Sequence, residues 1–342
     1  MKMGSAASSR KPRATRVCMH VLTTARLDPR VLREASAVAA AGYDVTVVDI
    51  ERDASRPRTE MMQGVTLKHI VTPGYFKRTR FKPFFLVKLA NTIVRGIWNV
   101  AGTKADIYHA HDDNALPACF MASRLRRKKL ILDAHELPLV QPNLTRWKRL
   151  SALARWSLRR MTRRCAGIIT VSPPIVDDFQ RRYGGPRAIL VRNIPPYTPP
   201  VSSDRLRQML GFGPNIRIAL YQGGIQENRR LDILVRAAHY VADNVRIIMM
   251  GNGESVDKIK ALIVSEGVQD RVFVIPAVPY DELIATTASA DIGLIVVDGN
   301  YSLNQKYGLP NKLFEAMMAG VPVLSSPLEV IVDVLRTYDV GV

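Results

Sequence analysis

Apolar runs of strand length alternate with helix-length segments along this 342-residue chain, and the alternation is interrupted once, by the proline- and serine-rich stretch Ile194–Ser203. A short apolar strand, a helix and a second such strand make a βαβ unit. Repeated units build a mostly parallel sheet covered on both faces. In the first half the runs predict strands at Val17–Thr24, Asp44–Ile50, Val65–Val71, Asp106–Ala110, Leu130–Ala134, Ile168–Ser172 and Ile189–Arg192. In the second half they predict strands at Ile216–Gln222, Arg246–Gly251, Val272–Ala277, Ile292–Val297 and Val321–Ser325. The connecting segment Pro29–Ala41 is helix-like and runs into Gly42, the residue type that closes a helix in the left-handed conformation. Prolines remove backbone donors and break helix and strand alike, so residues 194–204 read as a linker. The organisation expected is a disordered basic tail at 1–15, an α/β domain at 16–193, the linker, and a second α/β domain at 205–342. A further strand begins near Val340, where the chain stops. The last strand and helix of the second domain are therefore expected to be missing.

Composition narrows the partners. No uninterrupted apolar stretch approaches the ~20 residues of a membrane-spanning helix, and Met1–Arg16 lacks the apolar core of a signal peptide. Cys18, Cys119 and Cys165 are scattered and odd in number, which fits a reducing cytoplasm better than a disulfide framework, and none has metal-ligand spacing. The net charge of +19 is unevenly held: residues 1–200 carry 36 Lys and Arg against 14 Asp and Glu, whereas residues 201–342 carry 13 against 16. A basic half beside a near-neutral one calls for an anionic partner, which would be an anionic membrane surface, a lipid-phosphate acceptor or nucleic acid. No helix-turn-helix, zinc or RNP-type motif is present, so nucleic acid is not expected. Two segments, Tyr75–Ala101 and Arg146–Arg164, mix Lys and Arg with Phe, Trp and Leu. The second reads either as an interfacial amphipathic helix or as a helix packed on the sheet with an arginine-coated outer face.

Two motifs in the second half carry the chemistry. In Tyr307–Ser326, YGLPNKLFEAMMAGVPVLSS, Gly308 and Pro310 shape a loop, Asn311 can cap a helix that begins near Lys312, and Gly320 leads into a buried strand. A helix N-terminus presents free N–H groups and a positive dipole end to an anion such as pyrophosphate. Lys312 stands in the first turn, where the dipole disfavours a cation, an arrangement that makes sense if an anion sits there. Glu315, one turn on, could accept hydrogen bonds from ribose hydroxyls, although an ordinary αβ unit with a solvated Lys and Glu has the same pattern. In Leu220–Ala238 a strand runs into Gly223-Gly224 and then to Arg229-Arg230 at a helix start. Glycines permit close approach of backbone to a phosphate and arginine offers two donors to it, while a solvated surface pair of arginines reads the same way.

Together these motifs resemble the retaining glycosyltransferases of family 4, which have the GT-B fold. The resemblance adds a Gly-x-Gly turn at Gly251-Asn252-Gly253, the segments Val272–Leu283 and Ala290–Val297, and the final Glu-containing motif, in the family's order across the second half. It implies an α/β protein of two Rossmann-like domains facing a cleft. The implied reaction moves a sugar from a nucleoside diphosphate donor to an acceptor hydroxyl with retention, in cell-surface polysaccharide or glycolipid synthesis. The donor-binding residues would be Gly223, Gly224, Arg229, Arg230, Asn311, Lys312 and Glu315, with Glu315 also counted as catalytic. The chain departs from the family at Tyr307, which stands where the first motif acid belongs and puts the sugar contacts in question.

The first half resembles the family through DIYHAHD at Asp106–Asp112 and LILDAHE at Leu130–Glu136. By that resemblance His135 touches the donor sugar as a catalytic residue, with Glu136 beside it. His109 reads as a strand-face histidine, His111 is undecided, and Ser172 and Asn193 are either cleft residues or loop caps. Asp28 and Arg30, in the loop that replaces a Gly-rich acceptor loop, contact the acceptor or pair with each other. No Asp-x-Asp triplet is present, and helix N-termini with Arg and Lys can neutralise a diphosphate, so no metal or other cofactor is expected. The partners expected are a nucleotide sugar and an acceptor of lipid-linked type, at a cytoplasmic site peripheral to the inner face of the membrane. The alternatives are a nucleotide-sugar epimerase of similar fold and an inactive nucleotide-binding fragment.

Overall fold

The computed structural model describes residues 13–72, 82–139, 148–199 and 201–342. Most of the basic tail, the start of the first basic segment and Arg146-Trp147 of the second lie outside these residues. The chain forms two compact units, the first built on Met1–Leu139, Trp147–Thr170 and Val176–Leu190, the second on Val171–Ile175 and Val191–Val342. Each is an α/β unit with its own sheet.

The first unit holds an eight-stranded sheet of β1 (Arg16–His20), β2 (Asp44–Glu51), β3 (Thr59–Met62), β4 (Val65–Val71), β5 (Ile107–His111), β6 (Lys129–Ala134), β7 (Gly167–Thr170) and β8 (Ile189–Leu190), in the order β3-β4-β2-β1-β5-β6-β7-β8. All pairings are parallel except β3 with β4. β3 is absent from the sequence reading because TEMM is short and half polar. The signal for it was the turn: Gln63 and Gly64 both have positive φ, the geometry of a tight two-residue hairpin. Asp28 caps the helix Pro29–Ala40 by accepting from the Val31 N–H, and Pro29 supplies a preset φ at its first position. The helix buries Val31, Leu32 and Ala35 against Val17, Met19, Val45, Val47 and Leu67. The same face carries Arg30 inward.

The second unit holds β9 (Arg217–Gln222), β10 (Val245–Met250), β11 (Val272–Ile275), β12 (Ile292–Ile295) and β13 (Val323–Ser325), in the order β11-β10-β9-β12-β13, with all pairings parallel. The order reverses between β9 and β12, the place where open α/β sheets bind ligands at their strand carboxyl ends. Apolar side chains fill both faces, with Tyr221, Val235, Ile247 and Met249 in one core and Leu206, Ile218, Leu220 and Ile248 in the other. Beyond the helix Glu329–Tyr338, Gly341 makes a parallel bridge to Val323, where a further strand was expected. Ile194–Pro199 has no regular structure, as its prolines dictate. Among the described residues no helix is long and apolar enough to cross a membrane.

Candidate functional site

In the second unit, β9 delivers Gln222, Gly223 and Gly224 to its carboxyl end, and the helix Asn311–Met318 points its N-terminus to the same place. The helix begins one residue earlier than the sequence suggests. Pro310 is its N-cap, no side chain caps it, and Asn311 instead accepts a hydrogen bond from Asn193 through its side-chain oxygen (3.3 Å). The Leu313 N–H turns back to the Pro310 carbonyl (3.0 Å), and no side chain caps the first turn, the end of a helix that suits an anion.

Lys312 is half-buried, with Nζ 3.7 Å above the centre of the Tyr221 ring. A Cβ at Gly223, whose φ is +131°, would lie 3.1 Å from that Nζ, so glycine supplies both the backbone conformation and the room. Burial of the ammonium, reinforced by the Arg229 guanidinium and only partly offset by Glu315, pulls its pKa down to about 7. A cation this reluctant to stay charged, placed against a helix dipole and beside a second cation, lacks an anion.

Glu315 is buried and accepts a 2.6 Å hydrogen bond from Gln222 Nε2, while Gln222 Oε1 accepts from Thr287 (2.7 Å). Burial raises its carboxyl pKa against the opposing effects of Gln222 and Lys312. The Thr287–Gln222–Glu315 chain went unseen in the sequence because it joins three segments that only the sheet brings together. Arg229 and Arg230, adjacent in sequence, diverge. Arg229 ends a 3-10 turn near Lys312, whereas Arg230 takes a left-handed conformation (φ 52°) and directs its guanidinium to Asp232 (3.3 Å) and Asp298 (3.7 Å). Gly251 and Gly253 serve the backbone. A Cβ at either would fall 1.9 to 2.0 Å from the carbonyl oxygens of Gly223 and Ile225, so their absence of side chain is what lets the two strand-end loops pack.

In the first unit, parallel register sets His111 of β5 beside Asp133 of β6. This explains why HAHD and DAHE meet. His135 gives its backbone N–H to Asp112 (2.8 Å), and its ring nitrogens face inward, Nε2 to Asp133 (3.2 Å) and to His111 Nδ1 (3.3 Å), Nδ1 to Asp112 (3.5 Å). Burial disfavours its charged form, but Asp133 and Asp112 outweigh burial and raise its pKa. His111 is fully buried and stacks on the buried His109 at 4.6 Å. Asp28 and Arg30 do not pair with each other. Asp28 is a helix cap, and buried Arg30 binds Glu34 (2.9 Å) and Asp133 (2.8 Å). Burial and the neighbouring Asp133 push the Glu34 carboxyl up to about 8. Asp133 is held well below the usual carboxylate range: burial opposes its charge, but His111, His135, Glu34 and Arg30 together prevail. Glu136 is exposed. Glu34 escaped the sequence reading, although its place four residues after Arg30 on one helix was the available sign.

Comparison with known proteins places these units. Residues 30–196 match the family Glycosyltransferase Family 4, and residues 202–342 match Glycosyl transferases group 1. A D-inositol 3-phosphate glycosyltransferase of Xylanimonas cellulosilytica is 30% identical over 165 residues, covering 44% of this chain and only 38% of that protein. The fold is similar to that of sucrose-phosphate synthase from Thermosynechococcus elongatus (TM-score 0.72, 15% identity, covering 96% of this chain and 85% of that one). It is also similar to that of Anabaena HepE in complex with UDP and glucose (TM-score 0.64, 15% identity, 93% and 82%).

Proposed function

This chain is a glycosyltransferase of family 4 with the GT-B fold, and from that premise we propose that it binds a nucleoside diphosphate sugar through its second unit and transfers the sugar, with retention, to an acceptor hydroxyl. One observation carries the donor assignment: a desolvated lysine at an uncapped helix N-terminus, beside a second cation and a glycine that makes room for it. A diphosphate supplies the missing negative charge. As the sugar C1–O bond to the diphosphate breaks, Lys312, Arg229 and the N–H groups of the helix Asn311–Met318 stabilise the charge that develops on the leaving oxygen, and no metal is needed there. The new C1–O bond forms on the same face, and the acceptor proton passes to the departing diphosphate. Glu315, fixed by Gln222, is the ribose acceptor in this reading. The reading assigns no sugar contact to the His135 ring, because both its nitrogens are turned onto Asp112, Asp133 and His111.

A second reading, nucleotide binding without transfer, is favoured by Tyr307 in place of the family's acid. A panel of nucleotide sugars separates the two. Release of nucleoside diphosphate that is lost in Lys312→Met supports transfer, saturable binding without release supports the second reading, and absence of binding to any member refutes both.

For the acceptor, the basic first 200 residues and the outward Trp98, Leu153 and Trp156 fit a lipid-linked molecule at an anionic surface, in cell-surface polysaccharide or glycolipid synthesis. Sedimentation with acidic and neutral vesicles at low and high salt tests this. Salt-sensitive binding to acidic vesicles alone is expected, and no binding to either would refute it.

A further inference from the structure

Four side chains of the first unit converge on a point that the donor chemistry does not use. Glu34, His111, Asp133 and His135 each offer one oxygen or nitrogen, and the four atoms lie within 4.8 Å of one another. His111 Nδ1 stands 3.3 Å from His135 Nε2, 3.6 Å from Asp133 Oδ2 and 3.7 Å from Glu34 Oε2, and His135 Nε2 is 3.2 Å from Asp133 Oδ2. Ligands at zinc-like bond lengths of 2.0–2.2 Å in a tetrahedron are separated by about 3.3–3.6 Å. Four of the six separations, at 3.2–3.7 Å, lie close to that spacing, and the other two are within 4.8 Å.

Their surroundings point the same way. His111 is fully buried, and every polar contact of its Nδ1 is with a member of the group. Glu34 Oε2 is buried with no hydrogen-bond partner. Arg30 Nε binds Glu34 Oε1 and leaves Oε2 to the group, while its Nη2 donates to both Asp133 oxygens, Oδ1 at 2.8 Å and Oδ2 at 3.1 Å. Asp112 Oδ2 faces the outer nitrogen of His135 at 3.5 Å, the position from which a carboxylate orients a metal-bound imidazole.

We propose that Glu34, His111, Asp133 and His135 bind one divalent transition-metal ion, zinc by the two-imidazole, two-carboxylate donor set. Four protein ligands make a closed, structural site. It fastens the helix Pro29–Ala40 to the ends of β5 and β6 and fixes the His135 ring. This goes beyond the donor reading, rests on no part of it, and departs from the metal-free chain expected from the sequence.

The test uses the full chain without a histidine tag, stripped with a chelator and titrated with Co²⁺ and then Zn²⁺. The expected result is one Co²⁺ per chain with the intense visible bands of a four-coordinate site, displaced by one Zn²⁺. Glu34→Gln and His111→Asn, checked for folding by circular dichroism, should lose those bands. Asp112→Asn should retain them with affinity weakened about 10–100-fold. Absence of visible bands in wild type at excess Co²⁺ overturns the proposal without recourse to any variant. So does wild-type binding by both folded ligand variants, or a thiolate charge-transfer band placing the ion on Cys18, Cys119 or Cys165.

Discussion

At the carboxyl end of its sheet the first unit gathers Glu34 and Asp133 around one guanidinium, Arg30, with Asp112 beyond them on His135. At the same end of its own sheet the second unit gathers Lys312 and Arg229 around one carboxylate, Glu315. Both sheets gather buried ionisable groups at this end, their crest, yet carboxyl groups predominate in the first unit and cations in the second. Desolvated charge is costly unless paired, so the two suit ligands of opposite charge: the proposed metal ion in the first unit, the proposed diphosphate in the second. The contrast also separates two kinds of arginine and lysine. Arg30 compensates charges the chain itself has buried, whereas Lys312 is itself the uncompensated charge.

The contrast breaks most visibly on removal of each cation. Arg30→Met leaves two carboxylates without their partner and should cost the first unit about 3–5 kcal/mol in urea unfolding. Lys312→Met removes a desolvated charge from a ring contact and should leave stability equal or slightly higher. A small loss in Arg30→Met, or a large one in Lys312→Met, would erase the distinction. The same Lys312→Met chain should bind nucleoside diphosphates more weakly by about 1.5–3 kcal/mol in calorimetry, the worth of one charge-assisted bond.

The Lys312 contrast is sharpened by pH. Its pKa in the folded chain, about 7, lies below the ordinary 10.5, so between these values the unfolded chain holds a proton that the folded one has released. The cost of folding around this group is therefore complete below about pH 7 and is relieved as pH rises toward 10.5. A bound diphosphate restores the charged form. Above pH 7 binding should take up a proton and weaken as pH rises, with proton uptake measured in buffers of different ionisation enthalpy. Lys312→Met should show no such uptake, and wild type without uptake would contradict the depressed pKa.

Which parts of this could be read in the sequence follows from the range of the interactions. Strand cores announced themselves because a parallel strand buried on both faces is an uninterrupted apolar run, as in Arg217–Gln222. β3 did not, since TEMM is short and half polar. The donor motif was visible because Lys312, Glu315 and the helix start lie within one turn of each other. Its support, Gln222 and Thr287, was not, because Gln222 lies 93 residues from Glu315 and 65 from Thr287, joined only through the sheet. For the same reason Asp28 and Arg30 could be read as acceptor contacts or as a pair, while a partner of Arg30, Asp133, lay 103 residues away. Gly251 and Gly253 read as a family turn, and the reason for glycine there, the carbonyls of Gly223 and Ile225 from the neighbouring strand end, lies outside the local sequence.

The smallest expected effect separates two adjacent residues. The sequence treats Arg229 and Arg230 as one basic pair, and the structure sends them to different places. Arg230 is exposed, and its ion pairs with Asp232 and Asp298 lie at the surface, where such pairs are worth about 0–1 kcal/mol. Its left-handed backbone adds a second small term: Arg230→Gly should relieve the cost of a positive φ, so it should be neutral or slightly stabilising where Arg230→Ala is neutral or slightly destabilising. Arg229 is half-buried and close enough to Lys312 and Tyr221 for its charge to act on both. A diphosphate held by Lys312 therefore lies within reach of Arg229, whereas Arg230 has its guanidinium committed to carboxylates. Calorimetry on the two alanine variants should show nucleotide affinity reduced in Arg229→Ala and nearly unchanged in Arg230→Ala. Equal losses would mean that Arg230 abandons Asp298 for the ligand, and the second crest would then gather three cations rather than two.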